Sequence, residues 1–221
     1  MADSSYVIVS DFDGTISIED SSDVLVNVFG NAENDQIEVD YFNGTLNNRE
    51  AMARHFEIMD ISFIDYLRII DGHIHIDPYF DAFLSQVKST KTPFCIVSGG
   101  FIQGIRRLLG DARLDTVEIR ANELAGENHV RTSFVTEHPV CDKPFGPCGN
   151  CKRDYIEQVR GRTDRTLVYI GDGLTDRCAI ERVDILFAKS ALASYCDGQG
   201  ISYVPYNDFA DVKQYLWRDS M

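Results

Sequence analysis

The chain has 221 residues, 44% hydrophobic and 25% charged, with six prolines. That is too short for two full-sized domains at roughly 100–200 residues each, and too apolar for a disordered or fibrous chain. Basic residues number 21 against 35 acidic ones, a net charge of −14. Such a surface repels phosphate backbones and anionic headgroups, which argues against a nucleic-acid or membrane partner.

Tyr6–Ser10 is a short β-branched run that stops abruptly at Asp11-Phe12-Asp13-Gly14-Thr15, the pattern of a buried strand in a parallel sheet. The following stretch, 16–77, holds no comparable run. It carries helical spacing at Ser22–Phe29, Asn48–Met59 and Phe63–Ile70, with a turn signal at Asn43-Gly44. Helical patterns follow at Tyr79–Ser89 and Ile102–Leu109, on either side of a second apolar run, Pro93–Val97, that leads into Ser98-Gly99-Gly100. The stretch Ala121–Asn150 is irregular and rich in Gly, Pro, Cys and His, with a hairpin expected around Val130–Val135. Lys152 opens the segment Lys152–Val159, and further strand-like runs lie at Thr166–Ile170 and Asp184–Ala188. Strands alternating with helices predict an α/β fold with a doubly wound parallel sheet. The expected core comprises 1–15 and 78–221, with a small helical cap inserted at 16–77 after the first strand.

No apolar run approaches the roughly 20 residues a spanning helix needs, and the first residues lack the basic flank and apolar stretch of an export signal. A cytoplasmic protein is expected. Its six cysteines (Cys95, Cys141, Cys148, Cys151, Cys178, Cys196) then read as thiols or metal ligands before disulfides. Cys95, inside a strand pattern, reads as a small core hydrophobe. His73-Ile74-His75, close to Pro78, reads as a hinge or surface segment.

In an open parallel sheet, ligands bind beyond the carboxyl ends of the strands. Three runs end there in polar residues: Asp11-Phe12-Asp13-Gly14-Thr15, Ser98-Gly99-Gly100, and Gly171-Asp172-Gly173-Leu174-Thr175-Asp176. A lone Asp-Gly is satisfied by a turn. Two acids with Gly and Thr directly after a buried strand point instead to a nucleophile with a second acid above it. Asp172 and Asp176 would join Asp11 in a carboxylate cluster that a hard, oxygen-liganded cation such as Mg²⁺ would neutralise. Ser98-Gly99-Gly100 before a helix suits an anion, and Lys152 is the best-placed cation to balance a phosphate.

In this order the four pieces resemble the haloacid dehalogenase-like phosphatases, and the helical insert resembles the cap of their phosphoserine phosphatase branch. The resemblance spans about Val7 to Ala188. It implies a Rossmann-like core and a Mg²⁺-dependent hydrolysis of phosphomonoesters through an aspartyl-phosphate. Asp11 would be the nucleophile and Asp13 the general acid and base. Ser98, Gly99 and Lys152 would hold the phosphoryl oxygens. Mg²⁺ would be bound by Asp11, the Asp13 carbonyl and Asp172, with Asp176 in support.

Substrate choice would fall to the cap. Asp20, with Glu19 beside it, lies closest to the position where phosphoserine phosphatases read an amine, and His55, with Arg54 beside it, lies where they read a carboxylate. The run Cys141–Lys152 and the stretch Ala51–Phe56 resemble the methionine-salvage phosphatases that act on 2-hydroxy-3-keto-5-methylthiopentenyl-1-phosphate. Phosphoserine, phosphocholine and phosphoethanolamine are the alternatives, all small phosphorylated metabolites. A structural Zn²⁺ on His138, Cys141, Cys148 and Cys151 competes with reduced thiols packing a loop. A receiver-like phosphoacceptor or a binding module is the non-enzymatic rival, but it would lack the helical insert and the acid two residues after the nucleophile. Asp13 likewise argues against a dehalogenase.

Overall fold

The computed structural model describes residues 5–115, 117–136 and 146–218. A seven-stranded sheet carries the fold: β1 (Tyr6–Ser10), β2 (Phe94–Phe101), β3 (Glu118–Ala125), β4 (Arg131–Ser133), β5 (Thr166–Gly171), β6 (Ile185–Ala188) and β7 (Val204–Pro205). Their order is β4-β3-β2-β1-β5-β6-β7. All neighbours run parallel except the β3–β4 hairpin, which is antiparallel. β1 therefore sits centrally, and the chain winds outward from it first on one side and then on the other. This is the doubly wound α/β arrangement that the strand-like runs predict.

Side chains on the central strands alternate between two cores, as the two-residue pleat requires. Ile8, Phe94, Ile96, Val168 and Ile170 face one core, which α5 (Phe80–Ser89) and α10 (Phe209–Leu216) cover with Phe80, Phe83, Phe209 and Val212. Val7, Val9, Cys95, Val97, Leu167 and Tyr169 face the other, which α8 (Lys152–Arg160) and α9 (Ser190–Gln199) cover with Ile156, Leu192 and Cys196. Cys95 is thus a core residue, and burial pushes its thiol up to about 12. Among the described residues no helix is long and apolar enough to cross a membrane.

Four helices lie between β1 and α5: α1 (Ser21–Phe29), α2 (Ala32–Phe42), α3 (Asn48–Met59) and α4 (Phe63–His73). Each starts at a side-chain cap, Asp20, Asn31, Asn47 and Ser62 respectively, which satisfies otherwise orphaned backbone donors. Leu25, Phe56, Met59, Tyr66, Ile69 and Ile70 form the core shared by α1, α3 and α4, into which Phe101 from the end of β2 projects, while Ile37 of α2 packs separately with Leu46 and Ala51. The Phe56 and Phe101 rings meet edge to face at 4.7 Å. The two segments leading into and out of the helices are stitched together. Ile18 N donates to His75 O at 2.8 Å, Asp77 N donates to Ile16 O at 2.9 Å, and Ser17 pairs with Ile76.

The remaining differences from the sequence reading are specific. α2, β3, α9, β7 and α10 arise where no element is named in the sequence reading, the hairpin expected around Val130–Val135 is instead the β3–β4 pair with Ala125 opposite Arg131, and β2 runs on through Ser98-Gly99-Gly100 to Phe101. α2 buries only Asn34 and Ile37, so its apolar stripe is too thin to show as a helical period. β3 is half-polar, Glu-Ile-Arg-Ala-Asn-Glu-Leu-Ala, because it lies between β2 and the short β4 rather than at the sheet centre.

Candidate active site

The loop after β1 folds back on itself, with the amides of Thr15, Ile16 and Ser17 all turned to the carbonyl of Phe12. Gly14 makes this turn possible. Its φ is +72°, and a Cβ there would lie 2.4 Å from Asp172 Oδ2. Only glycine allows both the left-handed backbone and the close approach of the β5 loop. Asp11 is consequently pinned at the strand tip and 5% exposed, its Oδ1 accepting from Phe12 N at 2.7 Å.

Lys152 is the first residue of α8, which places it at the base of the same crevice, also 5% exposed. Its Nζ lies 2.7 Å from Asp11 Oδ2 and 2.5 Å from Asp176 Oδ1. Asp176 is fully buried. Its Oδ1 also accepts from Tyr169 Oη at 2.6 Å, while its Oδ2 accepts from the amides of Asp172 and Gly173 at 3.1 and 3.0 Å. Asp176 therefore organises the loop after β5 and orients Lys152. Asp172 accepts from Thr15 Oγ1 at 2.8 Å.

Asp11, Asp172 and Asp176 each bring an oxygen within 4.8 Å of the others. The electrostatic consequence is direct. Burial, then Asp176, push the Asp11 carboxyl well above its ordinary value, against the pull of Lys152. Burial and Asp176 likewise push Asp172 up to about 6. Burial alone would push the Lys152 ammonium down, but Asp11 and Asp176 more than offset it, and it is held well above its ordinary value. Two buried carboxylates and the half-buried Asp172, with Lys152 between two of them and Lys189 acting on the third, leave negative charge uncompensated. An all-oxygen donor set in that condition fits a hard divalent cation.

Asp13 points the other way, toward the helices. Its Oδ1 accepts from Ser21 N at 3.0 Å and Ser21 Oγ at 2.5 Å, and its Oδ2 from Ser98 Oγ at 3.2 Å. Ser98 is fully buried and accepts from Gly100 N at 2.8 Å. Asn122 Nδ2 donates to Gly99 O at 2.7 Å, and Asn150 Nδ2 donates to Ser98 O at 2.8 Å. The Ser98–Gly100 segment is thereby fixed from both sides.

These residues open into a cavity of about 420 Å³ whose walls include Asp11, Asp13, Gly99, Lys152 and Asp172. The predicted cap residues divide. Asp20 and His55 line the cavity, whereas Glu19 and Arg54 do not. Glu19 instead binds His75 through the backbone amide at 2.8 Å and Nδ1 at 3.2 Å, on the stitched entry to the helices. Arg54 lies exposed on α3. Asp20 caps α1, accepting from Ser22 N and Asp23 N, and burial, then Asp13, push its carboxyl up to about 8. Asp23, Glu38, Tyr41 and Arg177 also line the cavity. Sequence reasoning misses them, Glu38 and Tyr41 because α2 itself is unpredicted.

His138 and Cys141 lie outside the described residues. Cys151 spends its sulfur as the N-cap of α8, accepting from Asp154 N at 3.5 Å, and Cys148 lines the cavity. Among the described residues neither belongs to a three-ligand metal group. A structural zinc is not supported.

A family model, Put_Phosphatase (described as "Putative Phosphatase"), matches residues 6–190. The chain belongs to this phosphatase family. It is a phosphoric monoester hydrolase. The 2-hydroxy-3-keto-5-methylthiopentenyl-1-phosphate phosphatase of Exiguobacterium sp. is 30% identical over 95% of this chain and 96% of its own. The polyol phosphate phosphatase PYP1 of Saccharomyces cerevisiae is 27% identical, covering 93% and 90%. Among solved structures, a haloacid dehalogenase family hydrolase of Salmonella enterica serovar Typhi superposes with a TM-score of 0.76 at 18% identity, over 99% of this chain and 73% of that one. A phospho-aspartyl intermediate analogue of phosphoserine phosphatase superposes with a TM-score of 0.68 at 16% identity, covering 95% and 97%. The phosphatase therefore shares its fold with that branch.

Proposed function

We propose that the phosphatase hydrolyses a small phosphorylated metabolite through an aspartyl-phosphate on Asp11. The observation that carries this is the buried ion pair of Asp11 with Lys152 at 2.7 Å, inside a carboxylate cluster at the strand tips. An Asp11 carboxylate oxygen attacks phosphorus, and the ester oxygen leaves with a proton from Asp13. Asp13 then takes a proton from water as the water attacks the acyl phosphate, which releases inorganic phosphate and regenerates Asp11. Ser98, the Gly99 backbone and Lys152 receive the phosphoryl oxygens. Asp11, the Asp13 carbonyl and Asp172 would hold Mg²⁺, with Asp176 behind them; the cation supplies charge neutralisation of the transferring group. The protein's own share is positioning and preorganised charge. Residues 16–77 act as the cap that selects the substrate.

The leading substrate is 2-hydroxy-3-keto-5-methylthiopentenyl-1-phosphate, supported by the Exiguobacterium relative and by the apolar cavity residues Val26, Met52 and Phe56. A phosphocholine- or phosphoethanolamine-type ester is the second reading, favoured by Asp20, Asp23 and Glu38 in the cavity wall. Phosphoserine fits less well, because its carboxylate would meet those acids and Arg54 is turned away.

The test is phosphate release from a panel of small phosphomonoesters, with Mg²⁺ and with EDTA. Magnesium-dependent release concentrated on one ester is expected, abolished in Asp11→Asn with the fold intact. Asp13→Asn is expected to retain one phosphoryl group by intact mass. Wild-type turnover in Asp11→Asn overturns the nucleophile.

A further inference from the structure

The cap side of the cavity contains a relay whose polarity is set by the backbone. Asn34 is fully buried at the third position of α2. Its Oδ1 accepts from Asn31 N at 3.0 Å as half of a capping box, and this bond fixes which way its amide faces. The Asn34 Nδ2 group is therefore the one presented to His55 Nδ1, at 3.0 Å. An amide NH₂ only donates, so Nδ1 accepts and the ring proton resides on Nε2. His55 is buried, and its Nε2 lies 2.8 Å from Glu38 Oε1. Nε2–H thus donates to the carboxylate and holds it in place. Glu38 lines the cavity, and its side chain remains 46% exposed. It keeps acceptor capacity that His55 does not use.

On the hydrolase chemistry proposed above, we infer that Glu38 is the residue that selects the leaving group. It accepts a hydrogen bond from a hydroxyl or ammonium that this group carries, with Asn34 and His55 as its positioning residues. An ionised carboxylate is acceptor-only, so the complementary chemistry is a donor. Asp23, Asp20 and Asp13 share the cavity with Glu38, so the wall around it is built largely of carboxyl oxygens. Neither tetrahedral phosphate nor the transfer step needs Glu38; its place on the helical insert gives it discrimination rather than chemistry.

A matched ester series tests this: propyl phosphate, its 2-hydroxy and 3-hydroxy derivatives, and 3-aminopropyl phosphate, compared by kcat/KM at constant Mg²⁺. The wild-type enzyme is expected to prefer a donor-bearing ester over propyl phosphate by about tenfold to a hundredfold, the range of a hydrogen bond to a charged group. Glu38→Ala should bring that ratio close to one. Glu38→Gln keeps a carbonyl acceptor without the charge. It should retain preference for a hydroxyl and lose preference for an ammonium, so it identifies which donor the site takes. For the relay, ¹⁵N spectra should show His55 as the neutral Nε2–H tautomer. In Asn34→Asp, whose side chain cannot donate to Nδ1, the ring should gain a second proton. Turnover of all four esters without preference, a ratio unchanged in Glu38→Ala, or a wild-type Nδ1–H tautomer overturns the inference and leaves the phosphatase reading standing. No turnover of any ester overturns both.

Discussion

Replacing Lys152 by Met keeps the length and volume of the side chain and removes its charge from between Asp11 and Asp176. Lys152 is 5% exposed and bridges those carboxylates at 2.7 and 2.5 Å, so solvent cannot compensate the loss. Breaking a buried pair by removing one partner costs about 3–5 kcal/mol. At roughly 2–4 °C per kcal/mol for a chain of this size, Tm should fall by about 6–20 °C. The deficit should also depend on pH with a definite sign. Asp11 is already held above its ordinary value with Lys152 opposing the shift, so removing Lys152 raises the folded-state pKa further. A carboxyl so shifted contributes stability that is full below its unfolded pKa, about 3.9, and is lost as pH rises through the folded value. If one additional proton is retained, the loss between about pH 5.5 and 7.5 is about 2.7 kcal/mol, or roughly 5–11 °C. Calorimetry of both proteins in EDTA at the two pH values reads this directly. An equal Tm difference at both, or a variant as stable as the wild type, would refute the view that Lys152 is the counter-charge on which the cluster depends.

Two other substitutions probe the cavity wall. Asp20→Asn keeps an N-cap of similar quality and removes a carboxyl pushed up to about 8 by burial. The variant's Tm advantage should grow as pH rises toward 8 and level off above it, and a pH-independent difference would count against the assignment. Gly100→Ala would place a Cβ 2.4 Å from Asp13 Oδ2. Because that oxygen ends a movable side chain, the fold should survive while Asp13 is displaced. A fall in kcat of about 10²-fold or more is expected, the scale of lost acid–base catalysis, with little change in the thermal transition.

The half of the cavity proposed for catalysis is legible in the sequence because its residues sit at the ends of runs with unambiguous burial. Val7–Val9 and Leu167–Ile170 are buried on both faces, and such runs allow few placements for the acids that follow them. The selecting half is not. α2 hides in Ala-Glu-Asn-Asp-Gln-Ile-Glu-Val-Asp-Tyr-Phe, where two buried side chains are too few to impose a period. Glu38 consequently looks like one more surface acid in a chain with 35 acidic residues. β3 escaped for a related reason, since Asn122, one of its buried residues, is polar and serves to fix Gly99. At Arg54 and His55 the distinction depended on one step around a helix, which sequence position alone does not give. Asn34 offers no clue to α2, since the capping-box signature carries Glu or Gln three residues after the cap and here Asn takes that place.

The paired segments at Ser17 and Ile76 carry a consequence for how such enzymes diversify. Ile16, Ile18, His75 and Asp77 are joined across this gap by backbone bonds, with the Glu19 side chain on His75 beside them, so whatever connects residue 19 to residue 75 need only leave and return at neighbouring points. The register of β1 against β2 and β5 is set by pairing within the sheet, and the contacts an altered excursion would have to replace are Ser21 on Asp13 and Phe56 on Phe101. On the function proposed above, the helical insert is in that sense a portable cassette: it can be exchanged or rebuilt around a new leaving group while the strand tips proposed to break the phosphate ester keep their pairing.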